Sequence, residues 1–385
     1  MGKVNPNLMT EIKDLGAFDV SACYSCGTCT AVCPLSETGH EFPRKIIRYA
    51  MVGDEKRLVA STEPWLCYFC GECTTSCPRG ADPASFMMAT RRYLTTKYDF
   101  TGFSKKYYHS KIVEIAAAVI LFSITVLLVA LLHANVPMPM FGSVELNTFA
   151  GGIVWTIPII NHPVDIVELG DLSLLAILSI LLLINLFRMF KYTVLDEVKG
   201  KIPIKVYFVQ LKELIVHLLT QKRITECKEE GTNWDWITHI LVFYGYASIF
   251  VLVIILFDYF QADKPYWWMT VIGTIAAVAL LIGTSYMLYG RLTKNGTWRT
   301  YTHASDWYFL GLLWLVVVTG VFVVIFEYLS MPMATYVTYA IHLGVIAAFE
   351  TVVVPFGKWS HIAYRPFGIY FTKIKDAVNK AETNQ

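Results

Sequence analysis

The chain has 385 residues, 55% of them hydrophobic and 14% aromatic, with a mean hydropathy of +0.48. That is more apolar than a soluble globular domain, where apolar residues make up about 45–50%, and it indicates a membrane protein with a soluble part. A formal net charge of +2 excludes recognition of nucleic acid by bulk charge, so the position of the charges matters more than their sum.

The first motif in chain order is CYSCGTCTAVCP at 23–34, repeated with every spacing kept as CYFCGECTTSCP at 67–78. These two stretches hold eight of the nine cysteines. Each has the form C-x2-C-x2-C-x3-C-P, in which three closely spaced thiolates wrap one iron–sulfur cube and the fourth, before proline, reaches the other. The expected ligand sets are Cys23, Cys26, Cys29 and Cys77 for one [4Fe–4S] cluster, and Cys67, Cys70, Cys73 and Cys33 for the second. Gly27 and Gly71 give each loop room to turn. Zinc knuckles group their ligands two plus two and do not fit a run of four cysteines ended by proline. Cys227, in TECKEE, reads as a plain exposed thiol. Between the motifs, EFPRKIIRYAMVGDEKRLVAS has helix-spaced apolar residues with a Gly break, and ADPASFMMATRRYLTTKYDF after Cys77 predicts a further helix running to the membrane surface.

About 20 apolar residues cross ~30 Å of hydrocarbon as a helix. Six stretches qualify: Ile112–Leu132, Leu172–Phe187 (short, extended at both ends), Trp236–Phe257, Trp267–Leu288, Trp307–Tyr328 and Tyr336–Phe356. Every Lys and Arg except Lys264 lies in 1–111, 188–235, 289–306 or 357–385. The positive-inside bias then puts both termini and the cysteine segment in the cytoplasm, with the chain multi-pass in the cytoplasmic membrane. No leader-like segment precedes residue 20, and thiols in a reducing cytosol point to metal ligation rather than disulfides. The predicted fold is all-α: a cytoplasmic, helical, ferredoxin-like two-[4Fe–4S] domain at 1–110, a six-helix transmembrane bundle at 111–370 and a cytoplasmic tail at 371–385.

A histidine in a spanning segment marks function by default, and imidazole is a common axial ligand of haem iron. His239, a turn inside the third span, and His361, after the sixth, share a depth that suits a b-type haem; two interfacial histidines among tryptophans are the alternative. His342 begins the sixth span, roughly 28 Å from His361 if the helix is continuous, which places a second haem near the outer face. Its other ligand is open between His162 and His133, with a loop histidine of no metal role as the further alternative. His217 sits on the amphipathic stretch IKVYFVQLKELIVHLLTQKR, expected along the membrane surface; His303 is expected to be solvated, and His40 and His109 carry no signal. Glu350, mid-span, is a proton-relay or structural residue. Asp258 and Glu327, at outer helix ends, could accept quinol protons or simply be solvated. Arg188, Lys191 and Arg365 either reach the inner headgroups or pair with haem propionates.

Residues from about 230 to 370, above all HLGVIAAFETVVVPFGKWSHI, resemble the cytochrome b subunit of respiratory nitrate reductase and its relatives in membrane heterodisulfide reductase. The first 100 residues resemble the two-cluster C subunit of heterodisulfide reductase. The two parts in one chain resemble the C-subunit family of the quinone-interacting membrane-bound oxidoreductases of sulfate reducers and sulfur oxidisers. The resemblance implies His239 with His361 at the inner haem and His342 at the outer one. Two departures stand out. The position ten residues beyond His239, where the family has its other outer ligand, is Ile249. His342 and His361 are also nineteen rather than eighteen residues apart, which turns an ideal helix by about 100° more; a π-bulge or a kink before Pro355 would absorb the difference.

Clusters and haems carry single electrons, and the chain lacks a G-x-G-x-x-G fingerprint and any Cys-Cys-Gly repeat. The expected function is a quinone oxidoreductase subunit that links menaquinone in the membrane to cytoplasmic flavin and iron–sulfur subunits through two [4Fe–4S] clusters and one or two haems b. The resemblance implies a connection to adenylylsulfate reductase. The alternatives are the membrane anchor of a heterodisulfide reductase and a redox sensor or tether that passes no current.

Overall fold

A computed structural model of the chain describes residues 4–17, 22–132, 163–226, 232–256, 266–294, 299 and 302–383. Among these residues there is no strand. The N-terminal part is a set of short helices: α1 (Leu8–Asp14), α2 (Thr28–Ala31), α3 (Arg44–Met51), α4 (Glu55–Ala60), α5 (Glu63–Leu66), α6 (Glu72–Thr75), α7 (Pro83–Tyr98) and α8 (Phe103–His109). The helix expected between the cysteine motifs is therefore a pair, α3 and α4. It is divided at Gly53, whose φ of +72° belongs to the left-handed region. The helix predicted after Cys77 is α7, opened by Asp82, which accepts from the Ser85 N–H (3.1 Å), and by Pro83 at its first position.

The rest of the chain forms α9 (Lys111–Leu132), α10 (Pro163–Phe190), α11 (Ile204–Thr220), α12 (Thr232–Phe250), α13 (Trp267–Leu292), α14 (Ala304–Tyr328), α15 (Pro332–Val353) and α16 (His361–Thr383). Among the described residues, six segments, within α9, α10, α12, α13, α14 and α15 and the turns that continue them, are long and apolar enough to cross a bilayer. α15 packs between α9 and α14, α14 continues to α13, and α13 packs on α12. Their outer faces expose Ile112, Leu183, Ile275 and Val324, an apolar surface suited to lipid rather than water. The second span is longer than its apolar centre, as expected, running from Leu169 to Leu195.

α15 ends at Val353 because Pro355 has no N–H to continue the ladder. The chain then turns, with Gly357 N–H bonding to Val353 O (3.0 Å), and restarts at His361 in α16. His342 and His361 thus lie on different helices, and the extra residue between them is taken up by a break rather than a π-bulge.

The N-terminal helices and the bundle share one core. Leu8, Ile12, Ile46 and Phe86 are buried in the same cluster as Leu313, Phe349, Val353 and Ile369. Three contacts seat the two parts. Thr372 bonds to Thr62 across α16 and α5 (2.7 Å). Arg92 and Lys358 both pair with Asp306 at the start of α14 (3.1 and 2.6 Å). Arg188 donates to the carbonyls of Tyr98 (2.8 Å) and Lys97 (3.1 Å). Arg188 therefore satisfies the free carbonyls at the end of α7, instead of reaching headgroups or a propionate. His303 is likewise not a solvated side chain. Burial first, then Arg92, holds its imidazole down at about 4, and the neutral ring accepts from Ser305 N–H (3.2 Å) at the head of α14.

α16 approaches α5 closely at Gly368, where an added Cβ would stand 2.7 Å from Trp65 Cβ. Trp65 is itself enclosed by Tyr98 and Tyr364. Gly368→Val should lower stability by about 1–3 kcal/mol through overpacking, read as a lower melting temperature in detergent; an unchanged melt would mean that α5 is free to shift. The sequence boundary at 370/371 falls inside α16, which continues to Thr383.

Candidate functional site

The two cysteine loops have the same backbone. Ser25 and Phe69, each just before the second cysteine, have φ of +56° and +66°, and Gly27 and Gly71, each just after it, have φ of +96° and +86°. Left-handed conformation is unfavourable for a residue with a Cβ, yet both loops adopt it at the same point. The reward is a matched contact: Ser25 N–H points to Cys23 Sγ and Phe69 N–H to Cys67 Sγ, each at 3.4 Å. Such N–H donors favour a thiolate and tune the potential of a metal bound to it. Gly27 and Gly71 then begin the one-turn helices α2 and α6, which carry the third cysteine of each motif.

Cys29 interacts electrostatically with Cys23, Cys26 and Cys77, Cys33 with Cys67 and Cys70, and Cys73 with Cys67, Cys70 and Cys33 and also with Cys29. Cys33, Cys67, Cys70 and Cys73 line one cavity of about 320 Å³, together with Phe42 and Phe69. Among the described residues no three His, Cys, Asp or Glu side chains converge as around a single ion. Burial pushes the Cys33 thiol up to about 12 and raises Cys29, Cys67 and Cys73, whereas the Thr28 hydroxyl lowers exposed Cys26. The desolvated thiols would ionise only with a bound cation to compensate.

The sets differ in depth. Cys26 is exposed, as is Tyr24 beside it, with Arg79 stacked over the Tyr24 ring at 4.1 Å. Cys67 is buried, and its carbonyl receives hydrogen bonds from Arg91 and, at 3.3 Å, from Arg365. Arg91 also donates to Pro64 O at 2.7 Å, and burial first, then Arg365, lowers its guanidinium to about 9.

The second assembly is built from α12 and α16. His239 and His361 face one another with ring centres 6.2 Å apart, at 78° between planes. Two imidazoles bonded to one metal at about 2 Å each, with roughly 1.1 Å from nitrogen to ring centre, would have centres about 6 Å apart. His361 Nδ1 bonds to Lys358 O, leaving Nε2 as the free donor atom. Burial, then His239, keeps this imidazole well below its usual range, in the neutral form that could bind a metal. His239 Nδ1 is buried with no hydrogen-bond partner, and Phe309 of α14 stands edge-on to His361 at 6.3 Å. The pair opens on a cavity of about 470 Å³ also lined by His217, Phe243 and Arg365.

His342 is separate from this pair. Its Nδ1 bonds to Thr319 Oγ1 (2.8 Å), and its ring lies over Gly320, where a Cβ would approach Cε1 at 3.0 Å. His133, His162, Cys227 and Asp258 lie outside the described residues. Glu350, on α15, lies within electrostatic reach of Asp171 on α10 and Tyr246 on α12. Glu327 and Lys191 are exposed.

Two residues at the site were not singled out by the sequence for the places they hold. α11 packs on α16, and its His217, paired at 3.5 Å with Glu213 one turn earlier, faces the cavity rather than only the membrane surface; the outer side of α11 exposes Ile204 and Phe208. The Glu-x-x-x-His spacing was the available signal. Arg365, one turn after His361, shares its helix face, a spacing equally visible in the sequence.

Comparison with known proteins agrees with the N-terminal geometry. The family described as the 4Fe-4S dicluster domain matches residues 19–81. A protein of Archaeoglobus profundus described as similar to the C subunit of heterodisulfide reductase is 38% identical over 88 residues, 23% of this chain and 47% of that protein. The chain thus spans about half the length of the curated relative it matches. No solved structure matches. The chain joins a 4Fe-4S dicluster domain to six apolar helices, the make-up of a membrane-linked electron-transfer subunit.

Proposed function

We propose that this protein moves electrons between menaquinone in the membrane and flavin and iron–sulfur subunits in the cytoplasm. In this reading Cys23, Cys26, Cys29 and Cys77 hold one [4Fe–4S] cluster and Cys33, Cys67, Cys70 and Cys73 the other, and His239 and His361 hold a haem b. The observation that carries it is the facing of His239 and His361 across a cavity at a separation suited to one shared metal. Bound clusters and haem supply one-electron steps, which a quinol can feed one at a time. The protein's own part is to fix the imidazole tautomer through Lys358 O, to keep Cys67 dry, and to exclude water with Phe243 and Phe309. Glu350 is the candidate proton carrier within the bundle, with Asp171 in its field. A second haem would use His342 with His162 or His133. The distribution of Lys and Arg favours cytoplasmic termini, and the sulfur-metabolic partner adenylylsulfate reductase follows from the family resemblance alone.

The relative's name favours a second reading, the membrane anchor of a heterodisulfide reductase, which the proteins that copurify would distinguish. The main test is direct. Adding a menaquinol analogue to the purified chain in detergent should reduce haem, seen as sharpened α and β bands. An oxidised spectrum that does not change would turn the reading toward a sensor or tether.

A further inference from the structure

We infer that Arg365 joins the histidine cavity to the Cys33, Cys67, Cys70 and Cys73 set, and that electrons cross between cluster and haem at this one junction. The inference rests on the function proposed above and adds the order of the centres. One turn of α16 separates His361 from Arg365, so both lie on one helix face. Arg365 lines the cavity of His239 and His361 and also donates to Cys67 O at 3.3 Å. Arg91 donates to the same carbonyl from the other side, so two guanidiniums meet at the backbone of one buried cysteine.

Nothing comparable joins the other set to the bundle among the described residues. Its Cys26 is exposed and its neighbours Tyr24 and Arg79 face outward. Cys67 is a buried member of the cluster that holds Phe349, Val352 and Val353 of α15 and Ile369 of α16, whereas Cys23 of the other set is only half-buried against that cluster. The set with Cys26 therefore faces the soluble partner and the set with Cys67 faces the membrane. One electron passes from the reduced centre to the oxidised one; no bond is made or broken and no proton moves. Because the guanidiniums are cationic, they stabilise the more negative, reduced state of the nearer cluster.

The test uses the full chain reduced by dithionite. Haem and acid-labile sulfide are first measured in the unaltered protein; if either is missing, the proposed function itself fails. With both present, Arg365→Gln should lower the midpoint potential of one cluster signal, about tenfold in the equilibrium or 59 mV for one electron. It should also slow cluster-to-haem transfer at least tenfold, and Arg365→Lys should restore most of the potential. The affected signal is expected to be the one lost in Cys70→Ser, and Arg79→Gln, beside the exposed Tyr24, should leave cluster-to-haem transfer intact. Should Arg365→Gln fail to assemble, Arg91→Gln is expected to shift the same signal in the same direction. An unshifted potential with unchanged transfer, or transfer slowed as much by Arg79→Gln as by Arg365→Gln, would overturn the inference.

Discussion

Purified His361→Ala protein is expected to lose one equivalent of haem per chain while keeping its iron and acid-labile sulfide. The argument begins with geometry. His361 has its Nδ1 committed to Lys358 O, which leaves Nε2 as its available nitrogen, and its ring centre lies 6.2 Å from that of His239. Removing either ring leaves a single imidazole beside the pocket lined by Leu218, Phe243 and Ile369, and a haem that the two rings would hold would lose one of its two protein ligands. Partners that only orient a metal ligand typically change affinity 10–100-fold; loss of a ligand itself should do more. His239→Ala should behave alike, because the proposed site takes one nitrogen from each of the two rings. His217→Gln should retain haem, since His217 lines the cavity without belonging to the facing pair. His342→Ala should also leave this haem in place, because His342 is engaged with Thr319 on another helix pair. None of these changes removes a cysteine, so sulfide content serves as the folding control. Pyridine haemochrome and sulfide assays on the same samples decide it: unchanged low-spin haem in both His239→Ala and His361→Ala would remove the pair from the site.

The features legible in the sequence were those that depend on local spacing. The three-residue rhythm of the cysteines, the proline after each fourth cysteine and the length of the apolar runs each express a constraint within one segment, and the structure keeps the loops alike down to Ser25 and Phe69. The depth shared by His239 and His361 was also visible, because both flank apolar runs on the same charged side. What was hidden depends on which segments meet. α11 looked like a membrane-surface helix because its periodicity shows an apolar face but not which surface covers it; α16 covers part of that face and turns His217 to the cavity. Arg188 looked like a residue for lipid or propionate because it follows an apolar run, whereas the end of α7, some ninety residues earlier, presents it with free carbonyls. The nineteen-residue interval after His342 suggested a distorted helix. Pro355 instead ends it, and only the tertiary position of α16 returns His361 to face α12.

The strongest case of this kind is Asp306, whose replacement should have the largest effect on stability. Its carboxylate is buried and accepts from three directions: Arg92 Nη2 at 3.1 Å, Lys358 Nζ at 2.6 Å, and the backbone N–H of His303 at 3.2 Å, which completes the capping box of α14. Arg92 is fixed in turn by Leu15 O at 2.9 Å. One side chain thus ties the N-terminal helices, the head of α14 and the turn before α16. Asp306→Ala would leave the buried Arg92 and the half-buried Lys358 facing each other with no anion between them. Breaking a buried pair by removing one partner costs about 3–5 kcal/mol, because the remaining charge stays desolvated, and loss of the helix cap adds about 1 kcal/mol. Asp306→Asn should cost less than Asp306→Ala, since the amide can still accept from the His303 N–H. Adding Arg92→Met to Asp306→Ala should recover part of the loss, because it removes one of the stranded charges; the two changes would then be less than additive. Thermal unfolding in detergent, followed together with protease cleavage between the cysteine segment and α9, measures both the energy and the seating. A melting temperature for Asp306→Ala equal to that of the unaltered chain would show that the apolar core shared by the two parts holds them together without the ion triad.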